Sequence, residues 1–77
     1  MSQSPAMTAF IQNLERIRRE RGMTQVELAQ LLGTRQGNVS RLLRGEEDVT
    51  LSRCERIAKT LGVSLGEMIE DREFVES

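Results

Sequence analysis

Apolar residues near the start of the chain, Met7, Phe10, Ile11, Leu14 and Ile17, recur at intervals of three and four. That spacing lays them along one stripe of a helix running to about Arg21, where Gly22 stops it. Glycine takes the left-handed conformation at a helix end cheaply, and arginines in the last turn suit the negative end of the helix dipole. Thr24-Gln25-Val26-Glu27 then forms a capping box, whose hydroxyl and carboxylate satisfy free amides at the start of a second, short helix. That helix carries Leu28, Ala29, Leu31 and Leu32 and ends at Gly33, after which Thr34 is placed to cap a third helix from about Arg35 to Arg44, closed by Gly45. Thr50 caps a fourth helix with Leu51, Cys54, Ile57, Ala58 and Leu61 on one side, ending at Gly62. Ser64-Leu65-Gly66-Glu67 is a second capping box and opens a fifth helix that offers Leu65, Met68 and Ile69 for burial. With no strand-like alternation and no internal repeat, the expected fold is all-α, five helices joined by short turns. Residues 1–6 are expected as a flexible N-terminal segment, 7–70 as the domain, and 71–77 as an acidic, loosely held tail.

Length and composition narrow what such a fold does. Seventy-seven residues hold one small core and exclude a two-lobed enzyme with a cleft between domains. A chain this short buries only about 60% of its potential surface, so a partner subunit is expected to supply part of its stability. With 38% hydrophobic and 30% charged residues it is too apolar for disorder and too polar for a membrane span. The first ten residues lack the positive start and apolar centre of a secretory signal, so the chain is expected to stay in the cytoplasm. There is no histidine and only one cysteine, which removes the commonest general base and any Cys/His metal cluster. No catalytic residue, metal site or cofactor is expected. Cys54 falls on an apolar stripe, where it serves as a small core hydrophobe.

Charge is divided along the chain. The net charge is −1, yet between Arg16 and Gly45 seven arginines face two glutamates, a balance of +5, while from Glu46 to Ser77 four basic residues face nine acidic ones, a balance of −5. The basic half coincides with a tight helix-turn-helix pattern over residues 25–44. Two helices crossing steeply over a short turn need a small residue at closest approach, a glycine that reverses the chain, and branched apolar residues on the facing side. Ala29, Gly33, Val39 and Leu42 meet those demands.

In the ordered set Gly22-Met23-Thr24-Gln25, Leu28-Ala29, Leu32-Gly33, Val39-Ser40-Arg41, Gly45, Thr50-Leu51, Ile57-Ala58 and Leu61-Gly62-Val63-Ser64-Leu65, the chain resembles the phage-repressor and Cro-like (Xre) helix-turn-helix family from about Leu14 to Ile69. The resemblance implies a compact, five-helix, lambda-repressor-like DNA-binding domain, usually a dimer on double-stranded DNA. On a helical wheel with Val39, Leu42 and Leu43 buried, Gly37, Ser40, Arg41 and Arg44 fall on the opposite arc, and Arg35 and Gln36 protrude from the N-terminal tip. Arginine grips guanine O6 and N7 and glutamine grips adenine N6 and N7, so Arg35, Gln36 and Arg41 are the expected base readers. Arg18, Thr24, Gln25, Asn38, Ser40 and Arg44 are the expected DNA-backbone contacts; relatives place a glutamine like Gln25 against the phosphates. Gly37 stands where relatives carry a larger polar residue, and Glu46, Glu47 and Asp48 stand where relatives often carry basic or amide groups. Three acids in that loop are expected to repel the phosphate backbone. Leu65, Met68, Ile69, Phe74 and Val75 are too many apolar groups for a short tail to hide, and a homodimer interface is expected to bury them. The expected function is a transcriptional regulator, a dimeric repressor of a palindromic operator. The alternative is a protein-interaction module, such as the antitoxin of a toxin–antitoxin pair with a protein partner, or a restriction–modification controller protein.

Overall fold

In the computed structural model, residues 4–70 are described, and they form α1 (Pro5–Glu20), α2 (Gln25–Leu32), α3 (Gln36–Leu43), α4 (Leu51–Leu61) and α5 (Leu65–Ile69), with no strand among them. Phe74 and Val75 of the expected interface lie outside the described residues, as does the rest of the acidic tail.

Local chemistry sets most of the boundaries. The Thr24 hydroxyl accepts the Glu27 amide at 3.0 Å while the Glu27 carboxylate accepts the Thr24 amide at 2.8 Å, and Ser64 and Glu67 repeat the exchange at 3.1 and 2.9 Å. At the end of α2, Gly33 adopts φ 72°, and the amide of Thr34 closes on the carbonyl of Ala29 at 2.9 Å. That backbone reversal is strained for any side chain with a Cβ.

Two starts differ from the sequence expectation. The first helix begins at Pro5, because Ser4 accepts the Met7 amide at 3.1 Å and proline at the first helical position lacks only an N–H that has no partner there anyway. Residues 5 and 6, expected to precede the domain, therefore belong to α1. The third helix begins at Gln36 with Arg35 as its N-cap, and no side chain caps it. Thr34 lies one residue too early to reach the first-turn amides; its hydroxyl accepts the Asn38 side-chain amide at 2.9 Å instead.

All five helices contribute to one core: Phe10, Leu14 and Ile17 from α1, Leu28 and Ala29 from α2, Val39 and Leu42 from α3, Cys54, Ile57, Ala58 and Leu61 from α4, and Met68 from α5. Leu31 is 45% exposed, on the outer side of the short α2. Met68, expected at a subunit interface, is 0% exposed, because α5 lies across α1 and drives that side chain into the chain's own core. Burial pushes the Cys54 thiol above its ordinary pKa, in keeping with a core hydrophobe rather than a reactive group.

A buried amide fastens α5 to α1. Asn13 is 4% exposed, and its Nδ2 donates to the carbonyls of Met68 at 2.7 Å, Glu70 at 2.9 Å and Glu67 at 3.3 Å. A five-residue helix has its carbonyls unpaired at the C-terminal end, and this one side chain supplies their donors. Replacing Asn13 with Ala should therefore lower stability by about 1–3 kcal/mol in urea unfolding, since it strands buried carbonyls while removing little apolar area.

Candidate nucleic-acid interface

Burial of Val39 and Leu42 against the core sets the roll of α3 about its own axis. Arg35, Gln36, Gly37, Arg41 and Arg44 are exposed, and Asn38 and Ser40 are half-buried. The outward arc thus contains the residue types expected from the wheel, on a helix whose N-terminal tip projects past the turn at Gly33.

What those side chains bond to distinguishes them. The Arg35 carbonyl accepts the Asn38 and Val39 amides at 3.0 and 3.2 Å, and its side chain has no hydrogen-bond or ion-pair partner among the described residues. Gln36 donates to the Oε1 of Gln25 at 3.0 Å, joining the first residues of α2 and α3 into one amide pair. Arg41 donates through Nη2 to the Asn38 Oδ1 at 2.6 Å and to the Glu47 Oε2 at 3.1 Å, and its Nε lies 3.3 Å from the same carboxylate oxygen. Arg44 grips Glu46 through Nε and Nη2 at 2.9 and 3.2 Å, and its Nη1 donates to the Ser40 hydroxyl at 2.6 Å. The Arg44 guanidinium beside Glu46 holds that carboxyl below its ordinary pKa, and the carboxylate raises the arginine in return. Two of the three loop acids are therefore ion-paired with the outward face of α3, and three arginines against two carboxylates leave that face with one unit of positive charge.

Arg18 departs from its expected place on the phosphates. Its side chain is 17% exposed, bonds Glu15 through Nε at 3.0 Å, and donates through Nη1 to the Met23 carbonyl at 2.6 Å. It ties the end of α1 to the turn before α2. Arg19 pairs with the same glutamate at 2.7 Å. Hydrogen bonding from Arg18, then burial working against it, then Arg19 set the Glu15 carboxyl, with a net result below its ordinary pKa of 4.5. Sequence patterning missed this clamp, although the i, i+3 and i, i+4 spacing of Glu15 to Arg18 and Arg19 was a signal for it.

A Cβ added at Gly37 would meet nothing within 4 Å, so no contact inside the chain requires glycine there. Met7, Phe10, Val49, Leu51, Cys54, Leu65 and Ile69 line a shallow groove that is mostly apolar. Leu51 at its edge is 67% exposed and Ile69 is 40% exposed. Leu65 and Ile69, two of the expected interface residues, thus meet on one surface, joined by Leu51 and Val49 from outside α5. No helix among the described residues is long and apolar enough to cross a membrane.

Residues 14–68 match the family model HTH_3, described as helix-turn-helix. A hypothetical transcription factor, NHTF, from Neisseria superimposes with a TM-score of 0.80 over 95% of this chain and 86% of its own, at 24% identity. An HTH_3 family transcriptional regulator from Vibrio cholerae gives a TM-score of 0.72 over 84% of this chain and 38% of its own, also at 24% identity. Both likenesses are of fold. The hydroxypropylphosphonic acid epoxidase from S. wedmorenis is 33% identical over 88% of this chain with a TM-score of 0.76, but the chain spans only 36% of that enzyme's length. No curated protein sequence matches the chain significantly.

Two measurements check the geometry. Because the folded-state pKa of Glu15 is depressed, its contribution to stability is full above about pH 4.5 and is lost as pH falls through the lowered value. Glu15→Gln should accordingly flatten the acid limb of a stability-against-pH curve while leaving α3 unaltered. Gly37→Ala should raise stability by about 0.5 kcal/mol in thermal unfolding, as expected at an exposed helical site.

Proposed function

Because the chain belongs to the HTH_3 helix-turn-helix family, we propose that it is a sequence-specific regulator of transcription that reads double-stranded DNA through the outward face of α3. The observation that carries this reading is the N-terminal tip of α3. There the Arg35 side chain is unpaired among the described residues, Gln36 is braced by Gln25, and no side chain occupies the first-turn amides. A helix that enters the major groove by this end offers those groups to base edges first. Gln25 and Thr24, at the start of α2, are aimed with the free amides of that helix at a phosphate oxygen. Arg44 and Ser40 join them once Arg44 exchanges the Glu46 carboxylate for a phosphate, and Asn38 acts as a strut under Arg41 rather than as a backbone contact.

The apolar groove around Leu51, Leu65 and Ile69 supports a second copy of the chain as its occupant, which a small core of this size gains stability from covering. A homodimer presents two α3 helices to successive major grooves, and its operator is palindromic with half-sites about 34 Å apart. Occupying a promoter in this way makes the protein a repressor, working in the cytoplasm where bacterial DNA is.

Selection from a pool of randomised duplexes should enrich a palindrome. Arg35→Ala, Gln36→Ala and Arg41→Ala should each weaken it by about 1–3 kcal/mol and leave random DNA little affected. Equal loss on both would reduce the residue to a phosphate contact. No loss from any of them would favour the protein-interaction role. In sedimentation at tens of micromolar the protein should be dimeric and Ile69→Asp monomeric; a wild-type monomer would remove the dimer from the scheme.

A further inference from the structure

The acidic loop after Gly45 was the feature least in keeping with DNA binding, and its geometry gives it a task. Glu47 does not face solvent freely: its side chain is 24% exposed, Oε2 accepts from the Nη2 of Arg41 at 3.1 Å, and Oε1 lies 3.9 Å from the Nη1 of Arg53 in α4. The same Arg41 nitrogen reaches the Asn38 Oδ1 at 2.6 Å, and the Asn38 amide is held in turn by the Thr34 hydroxyl at 2.9 Å. Arg41 is thereby gripped along its Nε–Nη2 edge from two directions, by the α2–α3 turn through Asn38 and by the loop and α4 through Glu47. Its Nη1 has no partner among the described residues.

An unrestrained arginine on a helix surface samples many rotamers and is drawn to any phosphate within reach. Here the carboxylate cancels most of the attraction to phosphate while leaving the Nη1 donors pointed in a fixed direction, and hydrogen-bond direction, unlike charge, differs between base pairs. Glu46 offers a contrast within the same loop. It pairs with Arg44 two residues away, and with Ser40 accepting from Nη1 each of the three Arg44 nitrogens already makes one bond, so none is wholly without a partner as the Nη1 of Arg41 is.

We propose that Glu47 is a specificity-determining positioning residue, which holds Arg41 by its Nε–Nη2 edge so that Nη1 reads a base rather than binding phosphate. The proposal rests on the reading of α3 as the DNA-recognition helix. It implies that Arg41 meets its base through Nη1 alone while the Asn38 bond persists, a narrower contact than a two-point grip on guanine.

The test is a set of titrations of the 77-residue wild type, Glu46→Gln, Glu47→Gln, Arg35→Ala, Arg41→Ala and the Arg41→Ala/Glu47→Gln double variant. Each is titrated against the duplex enriched from a randomised pool and a scrambled duplex of equal length, with helix content checked by circular dichroism. Both glutamine variants remove one negative charge and preserve side-chain size. Glu46→Gln should strengthen binding to both duplexes alike, leaving their ratio unchanged within about twofold, because it frees a phosphate contact. Glu47→Gln should strengthen scrambled binding but lower the ratio about tenfold, with the relaxed preference at the base pair that Arg41→Ala also relaxes. In the double variant Glu47→Gln should change the ratio no further. If Glu47→Gln behaves like Glu46→Gln, the carboxylate is only a competitor for DNA and the proposal is overturned. An equal weakening on both duplexes overturns it too, by making Glu47 a strut of the fold. If Arg41→Ala leaves the ratio intact while Arg35→Ala lowers it, the proposal fails and α3 recognition stands. If no α3 variant changes the ratio, the recognition reading itself has failed.

Discussion

The burial of Val39 and Leu42 is the constraint on which the outward surface of α3 depends. α3 has only eight residues and packs against α1 and α2 through those two side chains, so rolling it by one position would expose a branched apolar group and bury an arginine. Each change is unfavourable by more than any surface hydrogen bond on the opposite arc can offset. The outward face is therefore fixed by the inward one. Ala29, 2% exposed, belongs to the same constraint, since its small side chain sits in the core at the α2–α3 crossing and allows α3 to lie close.

Around that rigid element the polar groups are already paired with one another. Gln25 with Gln36, Asn38 with Arg41, and Ser40 with Arg44 connect residues that sequence alone assigns separate tasks. Such exposed pairs contribute little to stability, but they restrict rotamers, and restricted donors lose less entropy on meeting a ligand. Arg35 is the exception, its side chain unpaired among the described residues at the N-terminal tip of α3. The face as a whole carries little net charge, because Glu46 and Glu47 offset two of its three arginines.

The remaining helices hold this element in place by means that are not all hydrophobic. Arg18 fastens the end of α1 to the turn before α2, and Asn13 fastens α5 to α1 through three carbonyls that no short helix could satisfy alone. Both are polar side chains used internally. Arg18 shows that a basic residue in a basic stretch beside a helix-turn-helix is also engaged in structure, through Glu15 and the Met23 carbonyl.

The one-dimensional pattern of this chain was sufficient for its five helices, their glycine stops, both capping boxes and the outward arc of α3, because each depends on residues within about four positions of one another. It was also sufficient for the family, whose motif is an ordered set of such local features. Long-range pairing was beyond it. That Asn13 meets residues more than fifty positions away, and that Met68 points inward while Leu51 and Ile69 stay exposed, follow from how the helices stack, which no local spacing encodes. The acidic loop shows the difference most clearly: Glu46 meets Arg44 two positions away, a local pair, whereas Glu47 meets Arg41 and Arg53 only because the fold sets the loop between α3 and α4.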